Sequence, residues 1–334
     1  MTSKPTPGLR RRVGVAGAVT ALVTTTLTGL AQQPATATPG PVATHAVAVT
    51  AAERQAVLAY WTPQRIAALK TPSAQVPPVA KPDGAPWTRA DAVSRTVGRL
   101  FFTDHGEDAS CTATVLDSAN RSTVVTAAHC VNNTDLLGED NQWTRNVLFV
   151  PGYRDGRAPY GRFVARLSVA PSTWLLNDQI ESLYDSYDQA FVVLHPNDDG
   201  RRVQDAVRAA QRIGYDVPGA RVVHQFGYPR ASSDEAREGL PEYTGERLAY
   251  CTGPAVEQQP TEEWPEPPGQ WGTACVMGGG SSGGPRFAHF DRHTGLGTVV
   301  GDNSHGYIPG KRYLVGPQFS TAITRPLFQR AQHG

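Results

Sequence analysis

The sequence predicts an all-β fold, a barrel or a sandwich, over the region that begins near Val97 and is closed by one C-terminal helix. Three observations predict it. Short runs of β-branched and aromatic residues alternate with turn residues from position 97 onward. The chain holds 33 glycines and 27 prolines in 334 residues, the punctuation that many tight turns require. A helical pattern over the β region appears only at the end, around 321–332.

The first residues read as an export signal. Lys4 and Arg10-Arg11-Arg12 supply a positive start, and Val13 to Leu30 is apolar and small with no charge. Small residues then offer cleavage after Ala31 or after Ala37. This three-part pattern sets 1–37 as a signal peptide. An uncleaved anchor fits less well, because the run is rich in Thr and Gly and barely long enough to span a bilayer. The arginine run also invites twin-arginine export, for which its flanks are a poor match.

Residues 38–95 form a pro-segment or N-terminal extension. Thr50-Ala-Ala-Glu53 has capping-box spacing and opens a short helix with Val57, Leu58 and Trp61 on one side. Thr62-Pro63 starts a second. Pro72, Pro77, Pro78, Pro82 and Pro86 then make a linker that can hold neither a central strand nor a long helix. The folded domain runs over 96–334. Its expected strands are 97–102, 111–116, 122–126, 146–150, 162–170, 189–194, 221–227, 245–251, 286–290 and 297–302, with 252–271 an exposed loop rich in Pro and Glu.

Composition bounds the function. The apolar fraction is 40% and the net charge +1, which suits a folded core and gives no reason to invoke nucleic acid or an anionic membrane. Four cysteines without C-x-x-C spacing imply two disulfides in an exported chain, in any of three connectivities.

Three segments carry chemistry. Gly278-Gly-Gly-Ser-Ser282-Gly-Gly-Pro285 provides the sharply turned, unobstructed backbone that presents a serine Oγ and aims N–H groups at a developing oxyanion. A flexible Gly/Ser loop is the bland alternative, against which Pro285 and the strand that follows argue. Thr126-Ala-Ala-His129-Cys130 places a histidine at a strand end among small residues. Tyr187-Asp188-Gln-Ala-Phe-Val-Val-Leu194 opens a buried strand with a carboxylate, costly unless partnered. Asp178 and Asp185 are its rivals. His289, Asp291 and His293 read as a hairpin turn and not as a metal site, and no cofactor is expected.

In the order His, Asp, Ser, at separations of 188 − 129 = 59 and 282 − 188 = 94 positions, these segments resemble the three catalytic blocks of the chymotrypsin/trypsin-like serine peptidases. The resemblance covers about 95–334 and implies two six-stranded-type antiparallel barrels with the active site between them. It makes Ser282 the nucleophile, His129 the general base and then acid, and Asp188 the orienting carboxylate. The amides of Gly280 and Ser282 form the oxyanion hole. It also implies the bridges Cys111–Cys130 and Cys251–Cys275, the first worth about 3 kcal/mol in a loop-entropy model.

Two departures stand out. Animal-type members carry an aspartate just before the nucleophile, where this chain has Ser281. The pattern is closer to secreted bacterial members, including relatives of the glutamyl endopeptidases. The position near which trypsin-like members hold an acid is Val276, which does not favour cleavage after Arg or Lys. Ser304 and His305, on the strand after the nucleophile, are the further candidate substrate contacts. A histidine on that strand holds acidic side chains in the glutamyl relatives, so the resemblance implies a preference for Glu or Asp before the scissile bond. Asp302 faces away if the strand alternates regularly. The expected protein is a secreted, monomeric serine endopeptidase acting on polypeptides, with no membrane attachment once the signal is removed. A non-catalytic binding protein on the same fold and an esterase using the same triad are the alternatives.

Overall fold

The computed structural model describes residues 41–74, 81–134, 140–176, 182–217, 222–258, 269–306 and 312–334. The signal reading of 1–37 and the rival Asp178 lie outside them. In chain order the elements begin with β1 (Val42–Ala46), α1 (Ala51–Tyr60), α2 (Pro63–Ala68), β2 (Asp83–Pro86) and α3 (Ala92–Thr96). The first barrel's strands follow as β3 (Val97–Asp104), β4 (Glu107–Val115), β5 (Thr123–Thr126), β8 (Arg145–Pro151), β9 (Phe163–Pro171) and β10 (Ala190–Leu194), with β6 (Asn132–Asn133) and β7 (Gln142–Trp143) paired separately between β5 and β8. After α4 (Val203–Val207) come β11 (Arg212–Ile213), β12 (Val223–Gly227), β13 (Ala249–Gly253), β14 (Val256–Glu257) and β15 (Gln270–Ala274). The chain ends with β16 (Pro285–Asp291), β17 (Leu296–Asp302), β18 (His305–Gly306), β19 (Tyr313–Pro317) and α5 (Thr324–Gln332).

The first sheet runs β1-β9-β10-β5-β4-β3-β8, and β8 returns to pair with β9, closing a six-strand barrel with β1 laid alongside. Side chains alternate across each strand, so residues two apart share a face. Leu100 and Phe102, Ala113 and Val115, Val147 and Phe149, and Ala190 and Val192 fill the interior. The opposite faces are also covered: Phe101, Val125, Leu148, Val150, Phe191 and Val193 are buried in a second cluster with α1, Trp61 and α5. Burial on both faces explains why these strands read as near-continuous apolar runs. Leu327, Phe328 and Ala331 of α5 supply one covering stripe, with the Phe328 ring 5.6 Å from that of Phe191.

The second half holds a six-stranded sheet, β11-β17-β16-β12-β13-β2, and a four-stranded one, β14-β15-β19-β18. They join where Gly301 pairs with Gln318 and the Phe319 amide donates to the Val300 carbonyl at 2.9 Å. Arg286, fully buried on β16, ties them further by donating to the carbonyls of Trp271, Gly316 and Pro317 and to Gln318 Oε1. The architecture is the expected pair of barrels with a C-terminal helix.

Two expectations need correcting. The segment 252–271 is not all loop: Val256–Glu257 and Gln270–Ala274 are strands, and Gln270 is fully buried. The strand at 245–251 begins instead at Ala249, after a short turn at Pro241–Tyr243. β15 was hidden because it pairs with β19, whose Tyr313 lies 313 − 274 = 39 positions after Ala274, and has little local signal of its own.

Candidate active site

His129 sits just past β5, in a single 3₁₀ turn over Ala128–Cys130. Cys130 is bonded to Cys111 on β4, with Cα atoms 6.2 Å apart, which anchors the turn to the neighbouring strand. The second bridge joins Cys251 and Cys275. The His129 ring nitrogen and the sulfurs of Cys111 and Cys130 lie within 4.8 Å of one another, but both sulfurs are spent in the disulfide. That group offers a metal only one ring nitrogen.

Asp188 immediately precedes β10, and its side chain is 3% exposed. β10 pairs with β5, with Ala190 opposite Thr126, so the start of one strand faces the end of the other. Asp188 Oδ2 accepts from His129 Nδ1 at 2.8 Å, and Oδ1 accepts from the His129 amide at 2.9 Å. Ser304 Oγ adds a third bond, to Oδ2, at 2.5 Å. Burial alone would raise the carboxyl's pKa, but the His129 charge and these donors outweigh it and hold it below its ordinary value. Burial alone would likewise push the imidazole down, but the charge and hydrogen bond of Asp188 carry it above its ordinary value. The ring remains 27% exposed, so it can be reached from solvent.

The glycine turn lies against β4 and the end of β5. The Thr112 amide on β4 donates to the Ser282 carbonyl at 2.8 Å, and Thr112 Oγ1 donates to the Gly280 carbonyl at 2.9 Å. Gly280 has φ +94° and Gly283 φ +74°, conformations that favour glycine. A Cβ on Gly283 would meet Thr126 Oγ1 at 2.1 Å and the Ala127 amide nitrogen at 2.7 Å. Glycine there lets the turn close onto the strand end that carries His129. Among the described residues, the amides of Ser281, Gly283 and Gly284 have backbone acceptors, whereas those of Gly280 and Ser282 have none.

The structure brings His129 and Asp188 into direct contact and sets the Ser282 turn against β4 and the end of β5, the strand that leads into His129. Asp185 does not replace Asp188; its carboxylate lies 3.9 Å from His305 Nε2. Ser304, expected as a substrate contact, spends its hydroxyl on Asp188, so that donor is committed away from any substrate carboxylate. His305 Nδ1 lies 3.1 Å from the same hydroxyl, placing its ring beside the His129–Asp188 pair with Asp185 on its other side. Val276 is fully buried. Thr112 and Asn303 were missed from sequence. Asn303 donates to the carbonyls of Ser281 and Phe226 and accepts from Gln225 Nε2 at 2.7 Å. Neither lies in a motif; only adjacency, Thr112 to Cys111 and Asn303 to Ser304, marks them.

No protein-family model matches the chain, and no curated protein does. Solved structures do. A thermostable serine protease, AL20, from an extremophilic microorganism is 30% identical over 73% of this chain and all of its own length, with a TM-score of 0.59. The protease Anisep from Arthrobacter nicotinovorans is 29% identical over 73% of this chain and 98% of its own, also at 0.59. A Glu endopeptidase shares the fold at 18% identity and TM-score 0.55, covering 77% of this chain and 99% of its own. Fold and likeness together define a bacterial-type serine protease. The chain belongs to the chymotrypsin-like serine peptidase family.

The raised imidazole pKa sets an expectation for pH dependence. If His129 is the general base it must be neutral to take a proton, so activity should be lost as pH falls through its folded-state pKa. Because that pKa lies above the ordinary 6.5, the acid limb of kcat/KM should have its midpoint above 6.5. A pH–rate profile on a peptide ester checks this, and a midpoint at or below 6 contradicts it.

Proposed function

We propose that the protein is a secreted serine endopeptidase, with Ser282 as nucleophile, His129 as general base and then acid, and Asp188 as its orienting partner. The observation that carries the reading is the His129–Asp188 pair, hydrogen-bonded at 2.8 Å on a buried carboxylate and set beside a glycine turn that bears Ser282. The steps follow from those groups. Ser282 Oγ attacks the peptide carbonyl while His129 Nε2 takes its proton. The tetrahedral oxyanion is held by the amides of Gly280 and Ser282. His129 then returns the proton to the leaving amine, leaving an acyl-enzyme. Water, deprotonated by the same ring, hydrolyses the ester and restores Ser282. Asp188 holds the proton on Nδ1, so that Nε2 faces the nucleophile as an acceptor, and it stabilises the imidazolium between steps.

Two disulfides and an export-type N-terminus support an extracellular location. Among the described residues no helix is long and apolar enough to cross a membrane. A retained protease fold used only for binding is the second reading, and the intact set of three residues weighs against it. An organophosphonate probe separates the two. Labelling of Ser282, and not Ser281, is the expected result by peptide mapping; an unlabelled, folded protein would favour the binding role.

A further inference from the structure

The extension ahead of the barrels is built into the fold on both sides. β1 adds five residues to β9, Trp61 is fully buried with its Nε1 donating to the Asn146 carbonyl at 2.5 Å, and β2 forms the edge of the second sheet against β13. Leu69 presents its carbonyl to Arg99, whose buried guanidinium also faces Glu246 across the barrel junction at 3.4 Å.

From there the contacts converge on the residues just before the nucleophile. Thr71 Oγ1 donates to the Arg230 carbonyl at 2.7 Å, and the Thr71 amide donates to the Thr244 carbonyl at 3.3 Å. The amide of Arg230 donates in turn to the Gly279 carbonyl at 2.7 Å, and the Gly278 amide to the Ala231 carbonyl at 2.9 Å. The extension therefore grips one side of the 228–245 loop, and that loop grips the glycine turn. A second line of contacts is more direct. The Asp83 carbonyl accepts from the Val276 amide at 2.9 Å, and Asp83 Oδ1 accepts from Arg237 Nη2 at 2.6 Å. The Tyr243 hydroxyl donates to the Gly84 carbonyl at 2.8 Å, in a place so close that a Cβ on Gly84 would lie 2.0 Å from that oxygen.

Ser281, where a carboxylate could have anchored the glycine turn, spends its hydroxyl within that turn, on the Gly278 carbonyl at 2.6 Å. We infer that Leu69–Thr71 and Asp83–Gly84, through Thr71 and Asp83, are permanent positioning elements for the Gly278–Ser282 turn, retained in the active protein and required for full turnover. Of the two readings of 38–95, removable pro-segment or lasting extension, this selects the second. The inference rests on the endopeptidase reading, because the quantity it controls is the placement of the oxyanion donors.

The test uses the full chain with Thr71→Val, Thr71→Ser and Asp83→Ala, assayed for kcat, KM, thermal midpoint and phosphonate labelling. Thr71→Val and Asp83→Ala should each lower kcat about 3- to 10-fold with KM changed less than about twofold, the size of one lost hydrogen bond felt in the transition state. Thr71→Ser, which keeps the hydroxyl, should retain the parent kcat. Parent kcat in both Thr71→Val and Asp83→Ala overturns the proposal, as does a loss in Thr71→Ser equal to that in Thr71→Val. Should the variants fail to fold, N-terminal sequencing of the labelled, secreted protein decides. A start ahead of Thr71 supports the proposal, and a fully active form starting after Gly84 overturns it. Absence of labelling in the parent protein would instead remove the endopeptidase reading, a failure distinct from parent-level turnover in labelled variants.

Discussion

Ser282→Ala should abolish peptidase activity, by about 10⁶ in kcat, while leaving the fold and its thermal midpoint essentially unchanged. The size follows from what the serine does. Without Oγ there is no acyl-enzyme, and what remains is whatever the oxyanion donors and substrate positioning supply to a direct attack by water. The structural effect is small because the position is held by its backbone: the Ser282 carbonyl accepts from Thr112, and the turn is fixed by Gly280 and Gly283 in conformations the substitution leaves alone. Single-turnover assays on a peptide ester, with circular dichroism of the same sample, check both halves. Residual activity within tenfold of the parent would remove Ser282 as nucleophile. The neighbouring Ser281→Ala offers the contrast. Ser281 is 2% exposed and turned inward onto the Gly278 carbonyl, so it cannot serve as a substitute nucleophile.

The chemistry was more legible in the sequence than the architecture that supports it. Each of His129, Asp188 and Ser282 stands where a strand meets a turn, and those junctions have strong local signals: β-branched runs, small residues and glycine clusters. The strands of the first barrel were equally readable, because both of their faces are buried and the apolar runs are continuous. What local pattern could not supply was pairing between distant segments. Gln270–Ala274 and Tyr313–Pro317 each contain a glycine and little alternation, and become strands by pairing with each other and with the short β14 and β18. The extension shows the same limit. Its capping box at Thr50 and its Pro63 helix start were visible, and both caps are present with Thr50 and Thr62 accepting from the third helical amide. The stretch read as a proline-rich linker carries a strand that was not expected, β2, at the edge of its sheet, the place where prolines are tolerated. That Asp83 would reach Arg237 and Val276, more than 150 residues away, has no trace in composition or spacing. The hydroxyl of Ser304 is a further case: the residue was noticed, but its partner, Asp188, lies 116 residues earlier.

Asp188→Asn should reduce kcat by about 10⁴ near neutral pH, with the geometry of the site retained, the magnitude found for the equivalent change in well-studied triads. Asp188 accepts three hydrogen bonds and donates none: from the His129 amide, from His129 Nδ1 and from Ser304 Oγ. An asparagine must place an oxygen and an NH₂ in the same positions. If its oxygen keeps the His129 amide, its NH₂ faces Nδ1 and forces that nitrogen to be the acceptor. The ring proton then moves to Nε2, where the base should be free, and the nucleophile loses its proton acceptor. The same substitution removes the charge that lifts the imidazole, leaving burial to depress it, so the acid limb should shift to lower pH than in the parent. The two effects have separate readouts: the plateau rate reports the tautomer, and the midpoint of the pH profile reports the lost charge. A variant with a parent-like plateau, or with its midpoint shifted upward, would show that Asp188 neither orients His129 nor supports its charge.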